Sequence, residues 1–469
     1  MSGFSTLNVA SRALAAQQKA IEVTSQNVAN ANTVGYTRQR VEMQSLSSAS
    51  AYGLQAREDS LGNGVSADKV IRVRDAFLER RTQQESGRAA QAATTAAAFD
   101  QLETSFGEPG TTGIQSLLTA SSTAWSQLST RPTDSTSRIA VLSSAQALAN
   151  GLRTASSAIG DQWTSTRTNA LDVVDEANAT LTQIADLNRV IQATVSRGNP
   201  ANELMDQRDV LVASLSQSLG ATATDTTDGM VDVVVAGNTL VSGFGVSRLG
   251  VTGGTSATTM GTAPVTLSIV PGGSVLQPGG TLGGLLSTMN TVLPGYQTKL
   301  DGVAMAVKDG VNGLVKTGYD QDGAGVTDFY AGSGARDLTV LVTDPRRVAA
   351  SATPPVITGG VVTNASADGG LADKVAQLAT APGGADATYR SMITTLGIES
   401  RSAISLSTTA ASVLKQVDES RLSVSGVSLD EEMTNLLVFK QSYAAAARVV
   451  TAIDEMLDVL INKTGLVGR

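Results

Sequence analysis

Residues 428–461 read SLDEEMTNLLVFKQSYAAAARVVTAIDEMLDVLI, and two series of apolar residues run through them at seven-residue spacing. Seven-residue spacing keeps the apolar stripe of a helix buried only if the helix supercoils left-handedly around a partner. The stretch is therefore predicted to be one long helix with a coiled-coil seam. The first series is Leu429, Leu436, Tyr443, Val450 and Leu457, and the second is Phe439, Ala446, Ile453 and Leu460.

A matching pattern lies near the other end of the chain. The residue three positions after each member of this pattern is small or polar, so the helix carries only one narrow stripe of large side chains. Such a helix needs packing to be stable, and we expect the two ends of the chain to pair with each other. On periodicity alone, a helical bundle inside one ordinary domain stays open as the alternative. The stripe is Leu7, Leu14, Ile21 and Val28, and its companions are Ala10, Gln17, Thr24 and Ala31.

The composition excludes many classes of functional site. The chain has 469 residues, enough for two or three domains, and it contains neither cysteine nor histidine. Disulfides, Cys/His zinc sites and Ser-His-Asp relays are therefore excluded, whereas carboxylate pairs, lysine bases and carboxylate-only metal sites are not. We expect no enzyme activity, no cofactor and no metal. The net charge of -8, without a long basic block, argues against nucleic acid as a partner.

No membrane partner is expected, because no apolar run approaches the roughly 18 residues that span a bilayer. The N-terminus, MSGFSTLNVASRALAAQQ, also lacks the pattern of a cleaved signal peptide. These tests point to a cytoplasmic protein, but they do not detect export routes that read no cleavable signal.

The interior of the chain divides by texture. Residues 75–220 have helical spacing with breaks at 107–113, 131–132 and 198–200, which predicts about four long helices with Trp125 and Trp163 in their core. Segments 230–235, 265–270 and 338–342 are β-rich, and the Gly/Ser/Thr-rich segment 245–263 is predicted to be a loop. Helical patterns return at about 282–315 and 385–416.

The predicted fold is mainly α with a β-rich insert: terminal helices that pair as a coiled coil, a long-helix bundle and a small β module. We expect a terminal coiled-coil domain from 1–40 and 428–469. The helical bundle domain is expected from 41–220 and 366–427, with the helix at about 282–315. The β-rich outer domain is expected from 221–281 and 316–365.

Four segments resemble a known family. NVANANTVGYTRQ, from Asn27, is similar to the motif that follows the first helix in flagellar rod, hook and junction proteins. Three others narrow the resemblance to the flagellar hook-associated protein 1 family: NELMDQRDVLVASLS at 202–216, GGTLGGLLSTMNTVLPGYQTKLDGVAMAVKDGVNGLVKTGYDQDG at 279–323, and EEMTNLLVFKQSYAAAARVVTAIDEMLDVLI at 431–461. The segments follow the order of the family through nearly the whole chain.

The resemblance implies a structural adaptor at the hook–filament junction, outside the cell. It implies export by the flagellar type III apparatus without a cleavable signal and assembly into a ring of identical copies. Implied partners are the hook protein, the second junction protein and a cytoplasmic chaperone on the C-terminal helix. The seam residues of both terminal helices are then the expected assembly contacts. The alternatives are another axial protein of the hook or rod and, with less support, a secreted adhesin or enzyme anchored by its terminal helices.

Some polar motifs allow more than one interpretation. MDQRD at 205–209 fits a solvated helix face or, under the resemblance, a structural role in which Arg208 ties its helix to a neighbour. Asp320 and Asp322 match an EF-hand loop, but position five is Ala324 and position twelve is Ala331, which favours a simple turn. GGTLGG at 279–284 lacks the Lys of a phosphate loop and is interpreted as the approach to a helix. Ser428 with Glu431 is predicted to form a capping box.

Overall fold

The structure is a computed structural model that describes residues 3–46, 62–108, 110–325, 327–354, 356–358, 361–364 and 368–459. It is mainly helical. The helices are α1 (Gly3–Ala29), α2 (Ala76–Phe106), α3 (Ile114–Thr130), α4 (Ser135–Val195), α5 (Asn202–Leu219), α6 (Gly280–Ser287), α7 (Leu293–Val315), α8 (Gly370–Gln377), α9 (Ala385–Ser425) and α10 (Leu429–Asp458). A π-helical turn, Thr288–Val292, joins α6 to α7.

The helices between residues 75 and 220 begin and end where the sequence predicts. Asp75 caps α2, its Oδ1 accepting the backbone N–H groups of Phe77 at 2.8 Å and Leu78 at 3.1 Å. Gly107 ends the same helix in the left-handed conformation, and Gly220 ends α5 in the same way. The four predicted helices, α2 to α5, and their three breaks are confirmed.

One hydrophobic cluster spans α2 to α9 and includes buried residues of the strands Val231–Val235, Asn238–Ser242, Arg248–Thr252, Thr266–Val270, Val275–Leu276 and Tyr330–Ala331. Trp125 and Trp163, each 1% exposed, lie within it as predicted. Phe99 and Tyr296 meet edge to face there, with ring centroids 6.4 Å apart. Among the described residues, none from α1 or α10 belongs to this cluster. The terminal helices therefore contribute nothing to the main core.

Strands form five small antiparallel sheets in the described residues. Their orders are β1-β2, β3-β4-β5-β6, β7-β8-β9, β10-β11 and β12-β13. The strands are β1 (Gln39–Ser45), β2 (Val65–Arg72), β3 (Thr222–Asp225), β4 (Val231–Val235), β5 (Asn238–Ser242), β6 (Gly245–Val246), β7 (Arg248–Thr252), β8 (Thr266–Val270), β9 (Val275–Leu276), β10 (Tyr330–Ala331), β11 (Thr339–Val340), β12 (Val356–Thr358) and β13 (Val361–Asn364).

Two of the strand predictions need correction. The segment 245–263 is not a simple loop, because β7 pairs with β8 from Arg248 opposite Val270 to Thr252 opposite Thr266. Leu249 is buried on the inner side of this hairpin, so burial of one face outweighs the Gly/Ser/Thr-rich composition. The third β-rich segment is shorter than predicted, since only Thr339–Val340 pairs as a strand.

The β1–β2 hairpin lies in the first part of range 41–220, which the sequence assigns to helices. Gln39 pairs with Arg72 and Ser45 with Val65, and a bulge interrupts the register between Glu42 and Gln44. The hairpin packs on α1 and is also bonded to α5 of the bundle. The three predicted domain ranges otherwise remain a prediction.

Candidate assembly site

The two terminal helices pack along each other, as the heptad patterns predict. On α10, Ile453 is 3% exposed, but the neighbouring seam residues are only half-buried, and Leu429 and Tyr443 are exposed. Leu460 lies outside the described residues. The pair thus covers one stripe of α10 incompletely and leaves apolar seam surface in contact with solvent. The half-buried members are Leu436, Phe439, Ala446, Val450 and Leu457.

On α1, the four large stripe residues Leu7, Leu14, Ile21 and Val28 are likewise half-buried. Apart from Asn27, the buried positions of α1 carry small side chains: Ala10, Ala16, Ala20 and Thr24. The hairpin covers a second side of the helix, where the Arg12 Nη1 donates to the Asn63 carbonyl at 3.1 Å. Small side chains let α1 approach two neighbours at once, which a uniformly bulky stripe would prevent.

The motif after α1 builds a buried polar junction at the base of the helix pair. Asn27, 1% exposed, donates from Nδ2 to the Gln39 carbonyl at 2.9 Å and to Glu432 Oε2 at 3.0 Å. Its Oδ1 accepts the Gln39 backbone N–H at 3.0 Å and the Tyr36 hydroxyl at 2.9 Å. The Asn27 side chain is therefore fully satisfied, and it connects α1, β1 and α10 at one point.

Arg38 closes this base junction on the α10 side. Its Nε lies 2.7 Å from Glu432 Oε1 and its Nη1 lies 2.8 Å from Glu431 Oε2. Its backbone N–H donates to the Ser425 carbonyl at 2.9 Å, at the end of α9. Glu432 is 2% exposed, so its charge is stabilised by these contacts rather than by water.

The predicted capping box at the start of α10 is wrong in detail. Ser428 is the N-cap residue, but its side chain makes no capping hydrogen bond. Glu431 does not turn back to the N-cap because it pairs with Arg38 instead. The two glutamates still lie in the first turn, where the positive end of the helix favours their charge.

Asp206 and Arg208 of the MDQRD segment are buried whereas Gln207 is exposed, so these two charged side chains do not lie on a solvated face, and Arg208 has the predicted structural role. Asp206 Oδ1 and Asp209 Oδ2 accept from Arg72 Nη1 at 2.9 and 2.7 Å, which ties α5 to β2. Asp206 Oδ2 also accepts the Thr37 backbone N–H at 3.1 Å. Arg208, 1% exposed, donates to the Gly229 carbonyl at 2.6 Å and so ties α5 to its neighbour.

The electrostatics follow this geometry. Burial, followed by the nearby carboxylate of Asp206, raises the pKa of Tyr36 to about 12. Burial also raises the pKa of Asp209, but Arg72 and the other nearby guanidinium groups outweigh it and hold that pKa below its ordinary value. Asp209 therefore stays ionised at neutral pH and keeps its ion pair with Arg72.

Gly35 fits the loop between α1 and β1 for two reasons. Its φ is +82°, in the left-handed region that glycine adopts without strain. A Cβ added at this position would lie 2.2 Å from Val210 Cγ2 on α5. The NVANANTVGYTRQ motif therefore needs glycine here to reach its docking place against α5.

The Asp320 loop is an Asp-stabilised turn. Oδ1 of Asp320 accepts the backbone N–H groups of Asp322 at 3.0 Å and Ala324 at 2.8 Å, and its Oδ2 pairs with Arg347 at 3.1 Å. These contacts occupy the oxygens that a calcium ion would use. Within the described ranges, no group of three or more carboxylates is placed to hold a metal ion.

A groove of about 890 Å³ opens between α2, α5 and α9 beside the Gly35 loop. Its walls carry thirteen Ala, Ser and Thr side chains together with eight charged ones. Arg421 bridges part of it, 3.8 Å from Glu79, whose pKa burial raises.

One helical stretch within 370–458 is long and apolar enough to cross a membrane by length and composition, and 6% of that window is buried. On these criteria alone the observation is weak evidence for a span. It agrees with the exposed apolar surface of α10.

Comparison with known proteins identifies the family. A protein of Bacillus subtilis named flagellar hook-associated protein 1 is 30% identical over 511 aligned positions, which cover 100% of both chains. The chain belongs to the flagellar hook-associated protein 1 family. Residues 99–330 match the flagellar hook-associated protein FlgK helical domain, and residues 7–37 and 418–463 match the flagella basal body rod protein and flagellar basal body rod FlgEFG protein C-terminal families.

Two further matches show which solved structure shares the fold and how much of the chain resembles a rod protein. The flagellar hook junction protein FlgK from Burkholderia pseudomallei has the same fold, with a TM-score of 0.63 at 16% identity over 74% of this chain and 100% of that chain. The rod protein FlgG of Caulobacter vibrioides is 40% identical, but over 77 residues that cover 14% of this chain. The full-length match thus favours the hook-associated family, and the likeness to rod proteins is limited to a small part of the chain.

The sequence did not reveal the contacts that join the β1–β2 hairpin to α5. Arg72 and Asn202 come from segments predicted to be helical bundle, and both bond across to other elements. The available signal was the run of charged and amide residues within the two family-like motifs, 27–39 and 202–209. Nothing in the spacing indicated that these motifs meet each other.

Proposed function

We propose that this flagellar protein is a non-enzymatic structural adaptor that joins hook to filament. The observation that carries the proposal is the half-exposed apolar seam of α1 and α10, which lies outside the main core. A continuous stripe of exposed apolar side chains on a protein surface marks an interaction site. Assembly of identical copies into a ring would cover it, with the hook protein and the second junction protein on either side.

The proposal includes the route to that position. The chain leaves the cell unfolded through the flagellar type III apparatus, without a cleavable signal, and works outside the cell. Before export, a chaperone covers the C-terminal helix. Physical support comes from α10, whose seam is apolar and incompletely covered by α1, so an unassembled chain would expose it in the cytoplasm.

Electron microscopy of a deletion strain tests the adaptor function. We expect complete hooks without filaments, and filaments restored when the chain is supplied from a plasmid. Hooks that are missing altogether would indicate a rod or hook protein instead. Filaments of normal number and length in the deletion strain would refute the adaptor function.

A further inference from the structure

The chain contains three Asn–Gly pairs, and the fold places one of them in a different backbone setting from the other two. An Asn–Gly pair is open to deamidation, in which the glycine nitrogen attacks the side-chain amide carbon, because glycine has no side chain to hinder the approach. Asn63–Gly64 lies between β1 and β2, whereas the other two pairs lie inside α4 and α7. The helical pairs are Asn150–Gly151 and Asn312–Gly313.

The two helical pairs are protected by their backbone. In an α-helix each N–H donates to the carbonyl four residues earlier, so the nitrogens of Gly151 and Gly313 are held in place and ring closure would require the helix to open. Asn312 is also 7% exposed, and its side chain bonds to β10. Asn150 is exposed, as Asn63 is, so exposure alone does not separate these two pairs.

Gly64 has an accessible nitrogen. The residue lies outside the helices at a φ of +93°, a conformation that glycine adopts readily. Its N–H donates no hydrogen bond to another residue within the described ranges. The backbone at position 64 therefore favours glycine, although glycine leaves the preceding asparagine open to attack.

Arg12 of α1 lies where it can assist this attack. Its Nη1 donates to the Asn63 carbonyl oxygen at 3.1 Å, and that carbonyl belongs to the same peptide unit as the Gly64 N–H. When the N–H loses its proton, the negative charge spreads onto the carbonyl oxygen, so a guanidinium bonded there stabilises the reactive anion. Helix α1 thus supplies a cation to the Asn–Gly pair whose nitrogen is accessible.

We propose that Asn63 is a site of spontaneous deamidation and that Arg12 accelerates the reaction. The Gly64 nitrogen bonds to Asn63 Cγ and gives up its proton to water. The side-chain nitrogen takes a proton from water and leaves as ammonia. One water molecule then opens the succinimide ring at either carbonyl, which yields aspartate or isoaspartate at position 63.

The isoaspartate product would loosen the β1–β2 hairpin. It lengthens the main chain by one carbon between two hydrogen bonds that close the hairpin. The Asn63 N–H donates to the Leu46 carbonyl, and the Leu46 N–H donates to the Gly64 carbonyl, each at 2.8 Å. Because the extra carbon shifts one bond relative to the other, the modified hairpin cannot keep both, and its contact with α1 at Arg12 weakens.

Peptide mapping by mass spectrometry tests the site in the purified full-length chain, stored for weeks at neutral pH. We expect aspartate and isoaspartate at position 63 and unchanged Asn150 and Asn312. In denaturant, where the helices no longer protect their nitrogens, all three pairs should convert at similar rates. The absence of conversion at position 63 in the folded chain, or equal conversion at position 150, would overturn the proposal. Because the measurement uses the isolated chain, its result does not depend on the junction function.

Variants of Arg12 test the assistance separately. Arg12→Gln removes the charge, and loss of one exposed charge-assisted contact should slow conversion at position 63 roughly threefold. Arg12→Lys, which keeps the charge, should slow it less, and Arg153→Gln on α4 is the matched control that should leave the rate unchanged. Asn63→Gln should give no product, because its side chain would have to close a larger ring. An unchanged or faster rate in Arg12→Gln would overturn the role of Arg12.

Discussion

Glu432→Gln should loosen the base of the terminal helix pair without unfolding the middle of the protein. The substitution keeps the shape of a side chain that is 2% exposed, but it removes the charge that faces Arg38 Nε at 2.7 Å. Removing one partner of a buried ion pair costs about 3–5 kcal/mol. Arg38 keeps Glu431 at 2.8 Å and is partly exposed, so we expect about 2 kcal/mol. This corresponds to roughly 30-fold more frequent opening of the base junction.

Hydrogen exchange of the purified chain measures this opening. In the unsubstituted protein we expect slow exchange at residues 429–436 and 24–39, next to the base junction. Exchange should become faster toward the outer ends of α1 and α10, where only the half-buried seam holds them. In Glu432→Gln, amides of the first turns of α10 should exchange roughly 30-fold faster, while those of α4 in the main core do not change.

Glu431→Gln is the matched control for this experiment. It removes the same charge from the same helix turn, so its effect on the helix dipole is equivalent. Glu431 is 62% exposed at its side chain, and an exposed pair contributes about 0.5 kcal/mol, or roughly a twofold change in opening. Equal effects of the two variants would refute the role of the buried pair. Fast exchange throughout α10 in the unsubstituted protein would show that the junction does not hold the helices in the monomer.

Further predictions concern the loops. Gly35→Ala should destabilise the base junction by about 1–2 kcal/mol, measured as faster hydrogen exchange near residue 36. Adding Val210→Ala should relieve only the steric clash with the new Cβ, because the left-handed φ of residue 35 remains. The raised pKa of Tyr36 stabilises the fold fully below pH 10 and loses that effect as pH rises through about 12. Tyr36→Phe should therefore lose less stability than the unsubstituted chain between pH 10 and 12 in denaturant titrations, and an equal loss would contradict the assignment. Millimolar calcium should leave the melting temperature unchanged, whereas a rise abolished by Asp320→Ala would show a metal site.

The sequence predicted the features that depend on local pattern. The heptads at Leu7–Val28 and Leu429–Leu457 predicted the helix pair because seven-residue spacing demands a partner. The breaks after α2, α3 and α4 followed from Gly and Pro, whose backbone preferences act locally. The α6–α7 helix was also placed correctly, because its apolar periodicity continues through the π-helical turn.

Features that depend on distant contacts were not predicted. Strand β7 forms because Leu249 finds a buried place beside β8 and α4, which composition does not show. Glu431 fits a capping box by spacing, yet Arg38, 393 residues away in the chain, binds it. The buried state of Asp206 likewise depends on Arg72 from a hairpin that the sequence did not reveal. Charge patterns indicate that partners exist but not which ones.

The most direct test of the central claim uses the seam itself. Leu436 is half-buried against α1, outside the main core, and Leu436→Asp would place an unpaired carboxylate in the assembled seam of every copy at a cost of a few kcal/mol each. Gln441→Asp, at an exposed polar position of the same helix, is the control. A circular dichroism melt of each purified variant establishes that the central domains remain folded.

The decisive measurement is the number of filaments per hook, counted by electron microscopy, in cells whose single copy carries Leu436→Asp. If the seam is an assembly surface, these hooks lack filaments and flagellin collects in the medium, while Gln441→Asp cells have filaments as in the parent strain. Filaments of normal number on the Leu436→Asp hooks would contradict an assembly role for the terminal helix pair.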